Sequence, residues 1–235
     1  MPHYVQYKQH PTTHAFEAFA VVPGPNRRAF MHLRRLIALD GTHTHGKYPM
    51  TLLAVTSLDA NNNIVLLAFA LVLIENKEWW KWFLHLIFEA FEKAGIDDDE
   101  DPVLFISDAD KGLKTALEEE FPSAYHSMCM KHLSGNVSRR FGAQAASFVF
   151  RLAKARTGAA YSAIEEELRV LPNGPGAIAY LGTHDVARWA RCRLPHERFG
   201  GLALAGILNI SGLVERLLVI EVSSLYSRVN TATEC

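Results

Sequence analysis

The sequence predicts an α/β fold, a mixed sheet flanked by helices, on three observations. Two short apolar runs each end in an aspartate, two β-rich runs between them are joined by a turn cluster, and a helical spacing of aromatic residues follows. Read from residue 36, the elements run βββαβαβα, an order that suits helices packed on a sheet.

The first run, RLIALD from Arg35 to Asp40, leads into GTHTHG, whose glycines bracket a tight connection and place Asp40 at a strand end. The runs TLLAVTSL and IVLLAFALVLI are joined by Asp59-Ala60-Asn61-Asn62-Asn63, a turn-forming cluster that predicts an antiparallel hairpin. From Lys77 to Ala94 the apolar spacing becomes helical, with Trp80, Phe83, Ile87 and Phe91 on one stripe, and Gly95 stops the helix. The acidic stretch 97–101 reads as a solvated loop. VLFIS after Pro102 is a buried strand ending at Asp108, the second acid at a strand end. ADKGLKTALEEE is helical, SAYHSMCM a short strand, and KHLSGNVSRRFG opens another helix. Residues 1–35 read as a lead-in, 36–140 as the core, 141–205 as a helical insertion broken by PNGPG, and 206–235 as the last helix of the core.

The 235 residues, 49% hydrophobic and 21% charged, describe an ordinary globular domain with enough apolar mass for a substantial core. Cys129, Cys192 and Cys235 make an odd cysteine count, which favours a reducing intracellular compartment. The amino terminus has no apolar signal core, and the longest apolar run, Ile64 to Ile74, is too short to span a membrane. A serine nucleophile elbow, a Gly-rich phosphate loop and a dinucleotide fingerprint are all missing, which removes support for hydrolase-triad and nucleotide-binding functions.

The formal net charge of -1 conceals segregation: residues 75–120 hold 5 Lys/Arg against 14 Asp/Glu, and residues 131–200 hold 11 against 5. The second stretch offers Lys131, Arg139, Arg140, Arg151, Lys154 and Arg156 to phosphates; solvated helix faces are the competing account. Asp40 and Asp108 suit hard divalent cations, because carboxylate oxygens can bridge two ions about 3.5–4 Å apart where an amide or hydroxyl binds them poorly. Taken singly, each is equally an Asp capping a loop or helix. Asp110 reads as the N-terminal charge of the next helix. His43 and His45 adjoin the first acid, within reach of a metal or phosphate or as plain surface residues. Trp79, Trp80 and Trp82 read as packing residues.

The blocks LDGTHTHGKY, SLDANNNIVLLAFALV, IENKEWWKWFL, ISDADKGL and CMKHL, in this order and spacing, resemble the transposase domain of Mutator-like elements, the MULE family, over roughly residues 30–140. The resemblance implies an RNase H-like fold with a DDE catalytic set. It carries the first two acids onto Asp40 and Asp108, the same residues reached from pattern. It also implies two divalent ions, Mg²⁺ or Mn²⁺, DNA as partner with no membrane, a homo-oligomer, and a nuclear location following from the substrate.

The family's third acid stands in a segment of the type N-x-x-E-S-x-N on a late helix. Here the matching stretch NISGLVERLL puts Gly212 in its place, with Glu215 three residues later and on roughly the same helix face. Glu215 is therefore the expected third ligand, against the polar side of an amphipathic helix as the alternative; Glu221 is more remote. Ala109 replaces a basic residue common in the family after the second acid, and Glu75 matches an acid of the block opening the long helix. Cys129 and His132 match a C-x-x-H motif of the family; only with Cys192 and His196 would they make a zinc set. Two functions follow: a Mutator-like transposase domain cleaving and joining DNA strands, or an inactive, domesticated remnant serving as a DNA-associated regulatory module. For the second speak Gly212 and the end SSLYSRVNTATEC, which resembles a truncated tail on a fragment without the DNA-binding modules often attached to such domains.

Overall fold

The computed structural model describes residues 3–44, 49–93, 95, 103–108 and 112–194. Seven strands form one mixed sheet: β1 (Tyr4–Gln9), β2 (Phe16–Val22), β3 (Leu36–His43), β4 (Thr51–Leu58), β5 (Ile64–Val72), β6 (Leu104–Ser107) and β7 (Tyr125–Met128). Their spatial order is β1-β2-β5-β4-β3-β6-β7. The helices are α1 (Gly24–Ala29), α2 (Lys77–Glu92), α3 (Leu113–Glu120), α4 (Met130–Phe141), α5 (Ala143–Lys154), α6 (Gly158–Arg169) and α7 (Gly174–Leu181). From β3 to α4 the succession is the expected one. The antiparallel β5-β4-β3 meander beside the parallel β3, β6 and β7 is an RNase H-like arrangement.

The hairpin between β4 and β5 turns where the sequence places it. The carboxylate of Asp59 accepts the Asn61 and Asn63 amides at 2.8 Å each, and Asn62 takes a positive φ of 66°. In α2 the Asn76 side chain accepts the Trp79 amide at 2.9 Å, capping the first turn, and Trp80, Phe83, Leu84, Ile87 and Phe91 are buried.

Two apolar cores lie on the two faces of the sheet. Leu36 and Ala38 of β3 pack on the side of α4, α5 and α7, while Ile37 and Leu39 pack on the side of α2 and α3. Because both faces are covered, the central strands read as continuous apolar runs; every residue of β4 is buried. Lys77 and Lys81 of α2 both hold Glu119 of α3, at 2.8 and 2.5 Å, and keep its carboxyl down at about 2.

Two expectations change. Residues 4–22, read as a lead-in, supply β1 and β2, which extend the sheet beyond β5; Tyr4 donates its hydroxyl to Glu89 of α2. Asp40 is not the last residue of its strand. Beyond it, Gly41, Thr42 and His43 keep pairing with Leu53, Leu52 and Thr51 of β4, so the expected tight connection is extended strand as far as His43. What ends near Asp40 is the pairing with β6. Helices α5 to α7 follow α4 as expected of the insertion, and they share one core with β3, β4 and β6 rather than forming a separate unit. The C-terminal helix expected over 206–235 lies outside the described residues.

Candidate metal and DNA site

Register brings the two acids together. On neighbouring parallel strands Ala38 of β3 lies opposite Ile106 of β6, so two residues further along each strand Asp40 and Asp108 are reached at equivalent positions. Adjacent strands lie about 4.8 Å apart, and side chains two residues apart share a face. Ala38 and Ile106 face the α4 core, and Asp40 and Asp108 continue that side just past the end of the β6 ladder. The amide of Gly41 donates to Asp40 Oδ1 at 3.0 Å, and the Asp108 side chain is 40% exposed, open to a ligand from solvent.

The C-x-x-H pair completes the surroundings. Cys129 follows β7, donates its amide to the carbonyl of Ser107 at 2.8 Å and begins α4, so the first turn of that helix stands over the end of β6. Nδ1 of His132 lies 4.0 Å from Oδ2 of Asp108. The imidazole is held well above its ordinary 6.5, to about 9: contact with Cys129 is the largest cause, and the carboxylates of Asp108 and Asp40 add to it against the opposing effect of burial. Cys129 itself is buried, which suits a packing thiol better than a metal ligand.

Other expected residues fall elsewhere. His43 alternates onto the face opposite Asp40, where its Nδ1 is 3.1 Å from Thr51 Oγ1. Trp80 is buried and donates its indole N–H to Glu75 at 3.1 Å, while Trp79 and Trp82 are covered by Lys8, 5.8 and 5.4 Å from their rings. Glu75 packs against Gly41, on the α2 side of β3. Asp110, His45, His196, Gly212, Glu215 and Glu221 lie outside the described residues. Among the described residues no three of His, Cys, Asp and Glu group as metal ligands.

The basic residues divide. Lys131 is in the first turn of α4, one residue from His132. Arg139 and Arg140 close the far end of that helix, Arg139 bonded to Asn136 and Arg140 lying 4.6 Å from the Tyr180 ring. Arg151 is paired with Glu167 at 2.6 Å, which lowers its availability to phosphate; Lys154 and Arg156 are exposed at the end of α5. They are therefore not one continuous patch. Sequence reading missed Arg188, whose contacts with the β7 edge come from tertiary placement alone.

A mixed sheet of this order, with two aspartates at equivalent positions just past the parallel pairing of β3 with β6, is that of an RNase H-like domain. The family model for the MULE transposase domain matches residues 36–136, from the first residue of β3 into α4, so this span is similar to that domain. No curated protein matches the chain. Transposase domains of this kind bind DNA and generally use divalent metals; among the described residues no helix is long and apolar enough to cross a membrane.

Proposed function

We propose that the chain is a catalytic domain for metal-dependent DNA strand cleavage and strand transfer, acting in the nucleus on element ends and target DNA. Asp40 and Asp108 hold Mg²⁺ or Mn²⁺, with Glu215 as the third carboxylate. The observation that carries this reading is the parallel register of Ala38 with Ile106, which turns both acids to one side at the open end of a strand pair. Divalent ions held by such a set polarise the scissile phosphate and stabilise charge on the attacking and leaving oxygens.

The chain's own groups supply the rest. The Gly41 amide orients one oxygen of Asp40. His132, whose Nδ1 lies 4.0 Å from Asp108, offers a ring N–H to a non-bridging phosphate oxygen on the α4 side of the acids. Lys131 next to it, with Lys154 and Arg156 at the end of α5, contributes charge for the DNA backbone.

Nicking of supercoiled DNA bearing candidate element ends, with Mg²⁺ or Mn²⁺, tests the assignment. Wild type is expected to nick, and Asp108→Asn and Glu215→Gln to fall to background. Equal activity in wild type and Asp108→Asn would refute the catalytic reading. Gly212, in the family's third-acid position, favours the second reading, an inactive remnant that retains DNA association. That reading predicts DNA binding without nicking in every variant.

A further inference from the structure

On the far side of β6 and β7, a chain of polar contacts runs from the helical region to the backbone of Asp108. Ser107, fully buried at the end of β6, donates its hydroxyl to the Asp108 carbonyl at 2.8 Å. The same oxygen is 2.6 Å from Nε2 of His126. Since the serine has one hydroxyl proton and it is used on Asp108, His126 supplies the proton of that second contact, which fixes the neutral tautomer with hydrogen on Nε2. Burial lowers the pKa of His126 well below the ordinary 6.5, to about 3, with the charges of Arg188 and Lys114 acting in the same direction, so the ring stays neutral.

Arg188 closes the chain. Its Nη2 is 2.8 Å from Nδ1 of His126 and 3.4 Å from Nε2, two distances that together place the guanidinium nitrogen over the nitrogen edge of the ring rather than along one lone pair. Its Nε donates to the His126 carbonyl at 3.3 Å, on the outer edge of β7, and the Arg188 carbonyl accepts the buried Ser127 hydroxyl at 2.6 Å. Trp189, the next residue, is buried in the core, its ring 5.9 Å from that of Tyr161 in α6. The segment after α7 is thereby clamped to the edge strand, and the clamp reaches Asp108 through two side chains.

We propose that Arg188 is a positioning residue for Asp108, acting through His126 and Ser107. It ties the helical region outside the matched family span to the acid-bearing end of β6. This rests on Asp40 and Asp108 being the cation site. Groups that orient metal ligands from behind change metal affinity by roughly 10–100-fold when removed.

The test compares the wild-type chain, Arg188→Met, Arg188→Lys and Asp108→Asn by Mn²⁺ titration and by amide hydrogen exchange at Cys129, whose N–H is bonded to the Ser107 carbonyl. A cavity of about 180 Å³ borders His126 and Arg188, so an altered side chain can be accommodated there. Arg188→Met is expected to weaken Mn²⁺ binding roughly tenfold and to speed exchange at Cys129 while exchange in β4 is unchanged. Arg188→Lys, which keeps a donor for the His126 carbonyl, is expected to recover part of both. Wild-type Mn²⁺ affinity and wild-type exchange in Arg188→Met would overturn the proposal. If Asp108→Asn binds Mn²⁺ as wild type does, the cation-site reading fails, and the exchange at Cys129 still decides whether Arg188 holds this strand end.

Discussion

The carboxylate of Glu75 occupies the space that a side chain at Gly41 would need: a Cβ there would stand 2.8 Å from Oε2 and 3.0 Å from Oε1. Glu75 is held in that place by the indole N–H of Trp80. Two sequence blocks more than thirty residues apart are thus fitted together beside Asp40.

Gly41→Ala is expected to destabilise the fold by about 1 kcal/mol, at the low end of the usual cost of overpacking, because the atoms met are the far end of the Glu75 side chain. The cost should shrink when Glu75→Ala is already present, and a coupling of roughly 0.5 kcal/mol or more in a double-mutant cycle by urea unfolding is the expected outcome. Additive effects would show that the two residues do not meet.

Gly112 presents a different case, since it combines a φ of +76° with close approach to α2: a Cβ would lie 2.5 Å from Lys77 Cβ and 3.1 Å from Lys77 Cα. The left-handed backbone alone costs an L-residue about 1–2 kcal/mol. Gly112→Ala should lower the melting temperature more than Gly135→Ala, a helix position with open space around it. Equal shifts for the two would contradict the packing described.

Acid stability has a definite sign. His126 takes up its proton near 3 in the folded chain against 6.5 when unfolded, so between these values the unfolded state binds more protons. Stability is expected to fall as pH drops below 6.5, with a slope approaching about 1.4 kcal/mol per pH unit from this residue alone. Glu119, lowered from 4.5 to about 2, adds a loss in the same direction below pH 4.5. Unfolding curves for wild type and His126→Gln between pH 6.5 and 4.5 check this: the variant should show the shallower dependence, and parallel curves would refute it.

Much of the core is legible because its signals are local. The stripe Trp80, Phe83, Ile87, Phe91 and the Asp59–Asn63 turn are decided by neighbours in sequence. That Asp40 and Asp108 each end an apolar run is local too, whereas their placement on neighbouring strands is set by the register of β3 with β6. What escapes is set at a distance. β1 is mostly exposed, and β2 turns Ala18, Ala20 and Val22 inward, small residues that give a faint alternating pattern. The extension of β3 past Asp40 depends on the length of β4, and the place of Arg188 depends on how α7 delivers the chain to the β7 edge. The Arg139, Arg140 and Arg151 side chains look interchangeable as charges in sequence, yet Arg151 is committed to Glu167.

The most direct measurement of the central claim is an anomalous difference map from crystals of the wild-type chain soaked in Mn²⁺. The account predicts a peak on the α4 side of the sheet, about 2.0–2.3 Å from carboxylate oxygens of both Asp40 and Asp108, and its loss in Asp108→Asn. An empty map there at a Mn²⁺ concentration that saturates the protein in solution, or a peak bound by other residues alone, would contradict it.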